Sequence, residues 1–583
     1  MGSGEHQNSE MELDTNQVDS IGIEHEKAIE EPSDIVAYEA TGEDLPDGYY
    51  WSFNFIGTCT ALCLSSVALY MYLLMPSAIL AVINNDLGPS KSIAWWSIAR
   101  TAAQSVTFTL VGRLSDIFGR RWFFIGGNLV ALIGTVITAA SMSVPQLIIG
   151  AAITGIGEAV QNSYNIALPE LVKNKHRPIV ISAVFASSAP FAAFGSIIST
   201  TMVKQGISWR WCFYLPLICI GIAVILLFFC YHPPVYSQLH SNSAEKTKMR
   251  QLRELDWVGI VLFIASLVMI LLPLGWGGSL FPWKSAATIS TLLVGAVLLA
   301  VFVFWEARQR GRNPLVPIQL ITNRGFMALV ACATVGSCCY FPTIFLWPQQ
   351  IAHIYGITGT YAGWLSCTVG AATALGSMST GFVIRAFGNS RWVILVASVG
   401  MCGFVAGLAA LTPDNLNLGI AFTILGPFCV GIIEVSAMAL APLFCLPEDL
   451  GLASGLLGTI RSAGASVATA IFSSVLSTRL AVTIPTAITP AAEQAGFDMS
   501  KIATLAGAAR AGTLDKVPGI THAVIDAVTA ALPNAYAAAF KTVYLASLAF
   551  GGVAIVGALL TKNAAPYLTD QVSRKLQPKG LRK

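Results

Sequence analysis

Fourteen apolar runs, each close to the roughly 20 residues a helix needs to cross a bilayer, constrain this chain more than any other feature. They begin near Trp51, Ile93, Trp122, Pro145, Ile179, Trp211, Trp257, Ala286, Phe326, Tyr361, Trp392, Leu418, Leu450 and Thr542, each bounded by charges, Pro or Gly. In hydrocarbon every backbone N–H and C=O must be satisfied within its own segment, so runs of this length read as helices. The expected fold class is an all-α membrane protein with 14 transmembrane helices.

The loops orient those helices. Loops after even-numbered spans carry Arg113, Arg120 and Arg121; Lys173, Lys175 and Arg177; Lys246, Lys248, Arg250 and Arg253; Arg308, Arg310, Arg312 and Arg324; then Arg385 and Arg391. The first five loops after odd-numbered spans hold little beyond Lys91, Lys204 and Lys284. Basic loops stay on the cytoplasmic side, which places both termini in the cytoplasm, in keeping with the even span count and with Arg574, Lys575, Lys579, Arg582 and Lys583 near the end. The lipid bilayer, with the plasma membrane first and the vacuole second, is the expected location.

Composition excludes other classes. With 55 % apolar residues, 11 % charged ones and a net charge of +3, the chain lies outside the soluble range and has no basic stripe for nucleic acid. Its twelve cysteines, Cys59, Cys63, Cys212, Cys332, Cys338 and Cys429 among them, fall almost all within apolar runs, without CxxC pairs or histidines at ligand spacing. They read as small core residues, and no metal or cofactor is expected. The seven histidines are scattered, His176 and His353 standing alone near spans, so no catalytic constellation is expected and the chain is not read as an enzyme. An ATP-driven pump would need a Gly-rich phosphate loop ending in Lys-Ser/Thr on a soluble domain; Lys284-Ser285 follows Trp283 instead.

Residues 1–50 are acidic and poor in large apolar groups, with neither a basic start nor a short apolar signal core, and are expected to be a disordered cytoplasmic tail without a cleaved leader. An internal repeat organises the rest. Gly112-x6-Gly119, with Phe118 before the second glycine, recurs as Gly381-x6-Gly388 with Phe387, and Leu168-Pro169-Glu170 recurs as Leu446-Pro447-Glu448. Parallel repeats about the membrane normal build a midplane site between two halves. The expected division is a six-helix bundle at 51–231, a cytoplasmic loop at 232–256, two inserted transmembrane helices at 257–305, a second six-helix bundle at 326–561 with a long external loop at 479–540, and a basic tail at 562–583. The Ala-rich stretches of that external loop have the composition of short surface helices, and no role is assigned to them.

The loop Gly112-Arg113-Leu114-Ser115-Asp116-Ile117-Phe118-Gly119-Arg120-Arg121 after the second span resembles the signature of the major facilitator superfamily. Further segments, Glu170 to Arg177, Trp209 to Tyr214, Asp256-Trp257-Val258-Gly259 with Gly275 to Gly278, and Trp347-Pro348-Gln349-Gln350, resemble fungal fourteen-span facilitators of the drug:proton antiporter type, and most of all the fungal trichothecene efflux pump family. The likeness runs from about Asn54 to Leu560. It implies the major facilitator fold, two six-helix bundles plus two inserted helices, and proton-coupled export of an apolar toxin, secondary metabolite or drug. Siderophore-iron import by proton symport, and a receptor-like member that no longer transports, stay open. Two departures stand out: Ala151 replaces the arginine such antiporters carry before Gly155-x-Gly157, and their G-P-x-x-G-G motif is reduced to Ala189-Pro190-Phe191-Ala192-Ala193-Phe194-Gly195.

Individual residues suggest roles. Gly112 permits close helix approach, and Asp116 is suited to accept hydrogen bonds at a helix N-terminus. With Arg113, Gly119, Arg120 and Arg121 they form an expected conformational latch. An ionisable group at mid-bilayer costs about 2.5–3.5 kcal/mol on insertion scales and is kept for a reason. Glu158 in the fourth span and Glu434 in the twelfth occupy corresponding places and are candidates for the coupled proton, with Arg100 and Arg461 as counter-charges. Candidate substrate contacts are Tyr164, Asn165, Tyr340, Trp347, Gln349 and Gln350. The expected partners are a small-molecule substrate and protons, with the chain acting as a monomer.

Overall fold

The computed structural model describes residues 49–564 except 89, 91–92, 94, 165–166, 169–170, 174–175, 234–255, 278–280, 309–317, 358, 446–449, 512–513, 515–516 and 518–519, together with a few side chains inside helices, those of Arg113 and Asp116 among them. The expected tails, most of the 232–256 loop and the Leu-Pro-Glu repeat therefore lie largely outside the described residues.

Fourteen long helices run through the described residues: α1 Phe53–Ala78, α2 Trp95–Phe118, α3 Arg120–Ala139, α4 Val144–Gln161, α5 Arg177–Lys204, α6 Trp211–Cys230, α7 Trp257–Trp276, α8 Ala286–Arg308, α9 Arg324–His353, α10 Gly359–Phe387, α11 Ser390–Gly407, α12 Leu416–Leu440, α13 Leu450–Gln494 and α14 His522–Leu560. Thirteen are long and apolar enough to cross a membrane. The remaining one, α2, is diluted by Arg100, Gln104 and several Ser and Thr residues. It can be so because it is wrapped by α4, α7 and α13, and its polar groups need not face lipid. Side-chain caps set several starts: Ser52 accepts from the Phe55 amide at 3.2 Å, Asp256 from Gly259 at 2.9 Å and Asn323 from Phe326 at 3.2 Å.

The same neighbour pattern appears twice. In α1–α6 and again in α9–α14, the first helix lies against the fifth and sixth, the second against the fourth, and the third against the fourth and sixth. The halves meet where the second helix of each lies on the fifth of the other, α2 on α13 and α10 on α5. Helices α7 and α8 pair with each other, joined by the Trp305 indole donating to the Asp256 carboxylate at 3.0 Å, and α7 rests on both α2 and α13. The inserted pair thus leans on one of the two seams.

The glycine repeat is a repeat of function within this packing. A Cβ on Gly112 would stand 2.6 Å from the Gly451 carbonyl oxygen across the α2–α13 seam, and one on Gly381 would stand 2.9 Å from the Ile179 Cα across the α10–α5 seam. Seven residues on, Gly119 and Gly388 take positive φ of 87° and 64° to turn into the next helix. Arg121 then donates to the Phe228 carbonyl at the end of α6 at 2.5 Å, and Arg391 to the Leu559 carbonyl at the end of α14 at 2.8 Å. Both guanidinium groups satisfy carbonyls that a helix C-terminus leaves free and oppose its partial negative charge.

The region beyond Arg479 differs from the expected loop. Helix α13 continues through Pro485 and Pro490 to Gln494, a short helix spans Ile502–Ala511, and α14 starts at His522, twenty residues before the apolar run at Thr542. Alanine has the best intrinsic helix propensity, so the Ala-rich flanks prolong the spanning helices instead of looping. At 1.5 Å per residue α13 is about 68 Å long, roughly twice a hydrocarbon core. Its far end, the Ile502–Ala511 helix and the start of α14 thus form a helical cap beyond the length a bilayer needs.

The seam contact makes a direct prediction. Gly112→Val would overpack it, an effect of about 1–3 kcal/mol, and hold the two helices apart. In a variant lacking the native cysteines, a Thr109→Cys/Thr459→Cys pair, whose parent hydroxyls lie 3.0 Å apart, is expected to oxidise to a disulfide readily. Adding Gly112→Val should slow that cross-link about tenfold, because bridging demands Cβ atoms within about 4.5 Å; an unchanged rate would show that the seam does not depend on Gly112.

Candidate site of the transport cycle

Helix α4 carries Glu158 to its partner by close packing. A Cβ on Gly155 would lie 2.3 Å from the Arg100 carbonyl oxygen of α2, and one on Gly157 would lie 2.4 Å from the Ala131 amide of α3, so this Gly-x-Gly presses α4 between two helices. Three residues after Gly155, Glu158 is fully buried and accepts from Arg100 Nη1 through Oε2 at 2.5 Å. One oxygen holds the cation and the other, Oε1, is buried without a hydrogen bond among the described residues.

The second half repeats the local device with a different partner. Gly431 presses α12 onto α10, its would-be Cβ 2.3 Å from the Thr373 carbonyl oxygen, and Glu434 again follows three residues later. The position twelve residues before Gly381, matching Arg100 before Gly112, is Val369, so α10 offers no cation at that level. Glu434 pairs instead with Arg461 of α13, both buried. The two carboxylates occupy equivalent helices, whereas their arginines stand on α2 and α13, the two helices of one seam.

Around Glu434 and Arg461 gather phenols from both halves. Tyr164 after α4 and Tyr340 of α9 are buried, Tyr70 of α1 is half-buried, and all three lie within the electrostatic reach of that ion pair. Tyr70 and Tyr164 both lean on Phe185, with ring centroids 6.4 and 6.0 Å away, and the Tyr164 hydroxyl has no partner among the described residues. Tyr164 and Tyr340 are thus brought together at the centre. The other expected contacts are not: the Trp347 indole donates to the Leu365 carbonyl at 2.9 Å, Gln350 accepts from the Tyr544 hydroxyl at 3.1 Å, Gln349 is exposed near the end of α9, and Asn165 lies outside the described residues.

A cavity of about 760 Å³ opens beside this centre, between α2, α7, α9 and α13. Arg100 reaches it, and Phe341 and Phe345 of α9 line it in place of Trp347. At the other end of α2 the seam is shut by Gly112 on Gly451, Gly455 on Phe108 and Thr109 against Thr459. The α5–α10 seam is closed along its length, with the Gly381 amide donating to Ser182 at 3.2 Å, a Cβ on Gly370 falling 2.1 Å from the Ala192 carbonyl oxygen, and Lys204 donating to Thr360 at 2.7 Å. Among the described residues, both seams are thus in contact at the end that carries the Gly119 and Gly388 turns, and the α2–α13 seam borders the cavity towards the Ile502–Ala511 helix.

Of the expected latch, Arg120 is buried and donates to Ser115 Oγ at 2.9 Å, while Arg121 stacks over Trp122 and Phe228. The side chains of Arg113 and Asp116 lie outside the described set; Asp116 sits four residues beyond Gly112 on α2, at the sealed end of the seam. Sequence reading did not single out Tyr70, the Thr109–Thr459 contact or the hydroxyl-bearing face of α13. For the last a signal existed, because Ser466, Thr469, Ser473 and Ser477 recur at helical spacing.

Known proteins agree with this architecture. The human organic anion transporter MFSD10 (TETRAN) superposes with a TM-score of 0.52 at 11 % identity, over 85 % of this chain and 98 % of that one. A bacterial homologue of the human lysosomal transporter Spinster, inward-facing and occupied, gives 0.50 at 16 % identity over 88 % and 97 %. These likenesses show the major facilitator fold. In sequence, the chain is 29 % identical over 548 residues to the trichothecene efflux pump TRI12 of Fusarium sporotrichioides, covering 93 % of this chain and 91 % of that protein, and 28 % identical to the TRI12 of Trichoderma arundinaceum over 93 % and 91 %. The model of the fungal trichothecene efflux pump family matches residues 15–580. The chain belongs to that family, a non-enzymatic group of multi-pass membrane exporters.

Proposed function

We propose that this protein exports an apolar toxin, secondary metabolite or drug in exchange for protons, with Glu158 and Glu434 as the proton-bearing groups. The observation that carries the reading is the placement of both carboxylates: each is buried, each is paired with an arginine, and both arginines sit on the helices of the α2–α13 seam. Protonating either glutamate removes the charge that holds its arginine, and an unpaired guanidinium in a low-dielectric interior is costly. The seam helix then has reason to move to where its cation is better solvated. Deprotonation draws it back. A proton entering on one side of the bilayer and leaving on the other thereby biases which end of the cavity is open, the differential interaction that alternating access needs.

Basic loops cluster at the face of the Gly119 and Gly388 turns, so the positive-inside rule supports cytoplasmic termini and a cavity open to the exterior. In that orientation an acidic exterior loads the open form with protons while substrate leaves. The relatives' designation as efflux pumps supports export, and the plasma membrane is the location that export of a toxin requires. The latch at 112–121 belongs to this cycle, with Asp116 as the carboxylate that stabilises one conformation.

Three measurements test the reading. In proteoliposomes, Glu434→Gln and Glu158→Gln are each expected to lower pH-gradient-driven transport at least about tenfold while substrate exchange without a gradient persists. Each leaves a buried arginine alone, at about 3–5 kcal/mol, so Glu158→Gln/Arg100→Gln and Glu434→Gln/Arg461→Gln should restore stability without restoring coupling. Full proton dependence in both single variants would remove the assignment. Asp116→Asn should cut transport by roughly tenfold at matched membrane abundance, a loss typical of a mispositioned working element; parental rates would dismiss the latch. Epitope tags at the two termini should become accessible only after the plasma membrane is permeabilised, and a tag stained on intact cells would reverse the topology.

A further inference from the structure

The cavity has two unlike walls. Leu73, Leu271, Leu274, Phe341 and Phe345 make one apolar, and on the other one face of α13 presents Ser466, Thr469, Ser473 and Ser477 in steps of three or four residues. From Ala465 to Ala481 this face runs about 24 Å. A guanidinium stands at each end. Arg100 lies at the deep end, its charge met by Glu158. At the mouth stands Arg510, which comes from the Ile502–Ala511 helix of the cap and donates to Ser477 Oγ at 2.5 Å.

Arg510 has no ion-pair partner among the described residues, and no Asp or Glu is among the described residues that line the cavity. The cap's own Asp498 is engaged elsewhere: it accepts from the Ser500 amide and hydroxyl and faces Lys501 at 3.4 Å, contacts that hold its carboxyl below the usual range. The mouth is therefore a positive, donor-rich rim on an apolar chamber. A guanidinium binds carboxylates in a two-pronged fork; Ser466 and Thr469 donate to the Ser462 and Ala465 carbonyls of their own helix, which leaves Ser473 and Ser477, nearer the mouth, to add donors, and a cationic group finds no carboxylate and no favourable field.

We propose that Arg510 and the hydroxyl face of α13 form an exofacial subsite that selects apolar substrates bearing an anionic oxygen group, a carboxylate in particular, and that the helical cap is thereby part of the substrate path. This rests on the transport reading above and narrows its substrate class. Neutral oxygenated molecules use the same hydroxyls with less gain, and lipophilic amines are disfavoured.

Dansylated undecanoic acid, its methyl ester and the corresponding dansylated amine supply a matched set of probes. Binding to the purified full-length protein, read by dansyl fluorescence, is expected to favour the acid over the ester about tenfold, close to 1.4 kcal/mol, with the amine weakest. Arg510→Gln should collapse the acid-to-ester ratio to about twofold, and Arg510→Lys should retain part of it. An unchanged ratio in Arg510→Gln, or an amine preferred by the parent protein, would overturn the subsite. Proteoliposome flux of the same probes separates the two readings. If the parent moves them under an imposed gradient yet Arg510→Gln keeps the acid preference, the subsite alone falls; if the parent moves none of them, transport and subsite fall together.

Discussion

Backbone contact through glycine at the two seams is the constraint on which the rest of this molecule depends. Lipid offers helices little hydrophobic reason to associate, so the halves must meet by close packing and a few polar contacts. Gly112 against Gly451 and Gly381 against Ile179 do this at one end of the molecule, and the Thr109–Thr459 and Gly381–Ser182 contacts add hydrogen bonds between the halves. Such joints are shape-matched without being covalent. They hold one end closed while the α2–α13 seam widens into a cavity at the other.

The same economy of side-chain volume places the charges. Gly155 and Gly431 bring α4 and α12 against their neighbours, and the glutamates three residues later are carried into the interior with them. Buried carboxylates demand partners, and the two halves answer differently. Arg100 comes from the second helix of its own half; Val369 stands at the corresponding place in the other, and Arg461 of α13 serves instead. The repeat is symmetric in backbone and asymmetric in charge, which concentrates both cations on the seam that borders the cavity and that the inserted helix α7 also touches.

Much of this is legible in the amino-acid sequence. Spanning helices announce themselves because hydrocarbon tolerates no other backbone solution, and the Gly112/Gly119 and Gly381/Gly388 echo marked the two halves because each glycine answers a demand no other residue meets. Glu158, Glu434, Arg100 and Arg461 stood out because charges inside apolar runs are expensive. Less visible were the substrate contacts. Trp347 and Gln350 have the chemistry of ligand-binding groups, but their faces of α9 turn into neighbouring helices, and Phe341 and Phe345 reach the cavity instead. Which face of an all-apolar helix looks inward is not written in its hydropathy, since both faces are apolar.

What the sequence by itself determined was the number of crossings, the two-fold internal repeat and the short roster of membrane-embedded charges, all consequences of local free energies of transfer into lipid. Only the tertiary structure decided which arginine meets which glutamate, which seam opens, and that the stretch after Arg479 is a helical cap whose Arg510 reaches back to Ser477. Those are relations between segments separated by 27 to 58 residues, or by 33 for Arg510 and Ser477. They depend on how helices of similar composition are rotated and crossed, a property set by packing of the whole and carried by no single run.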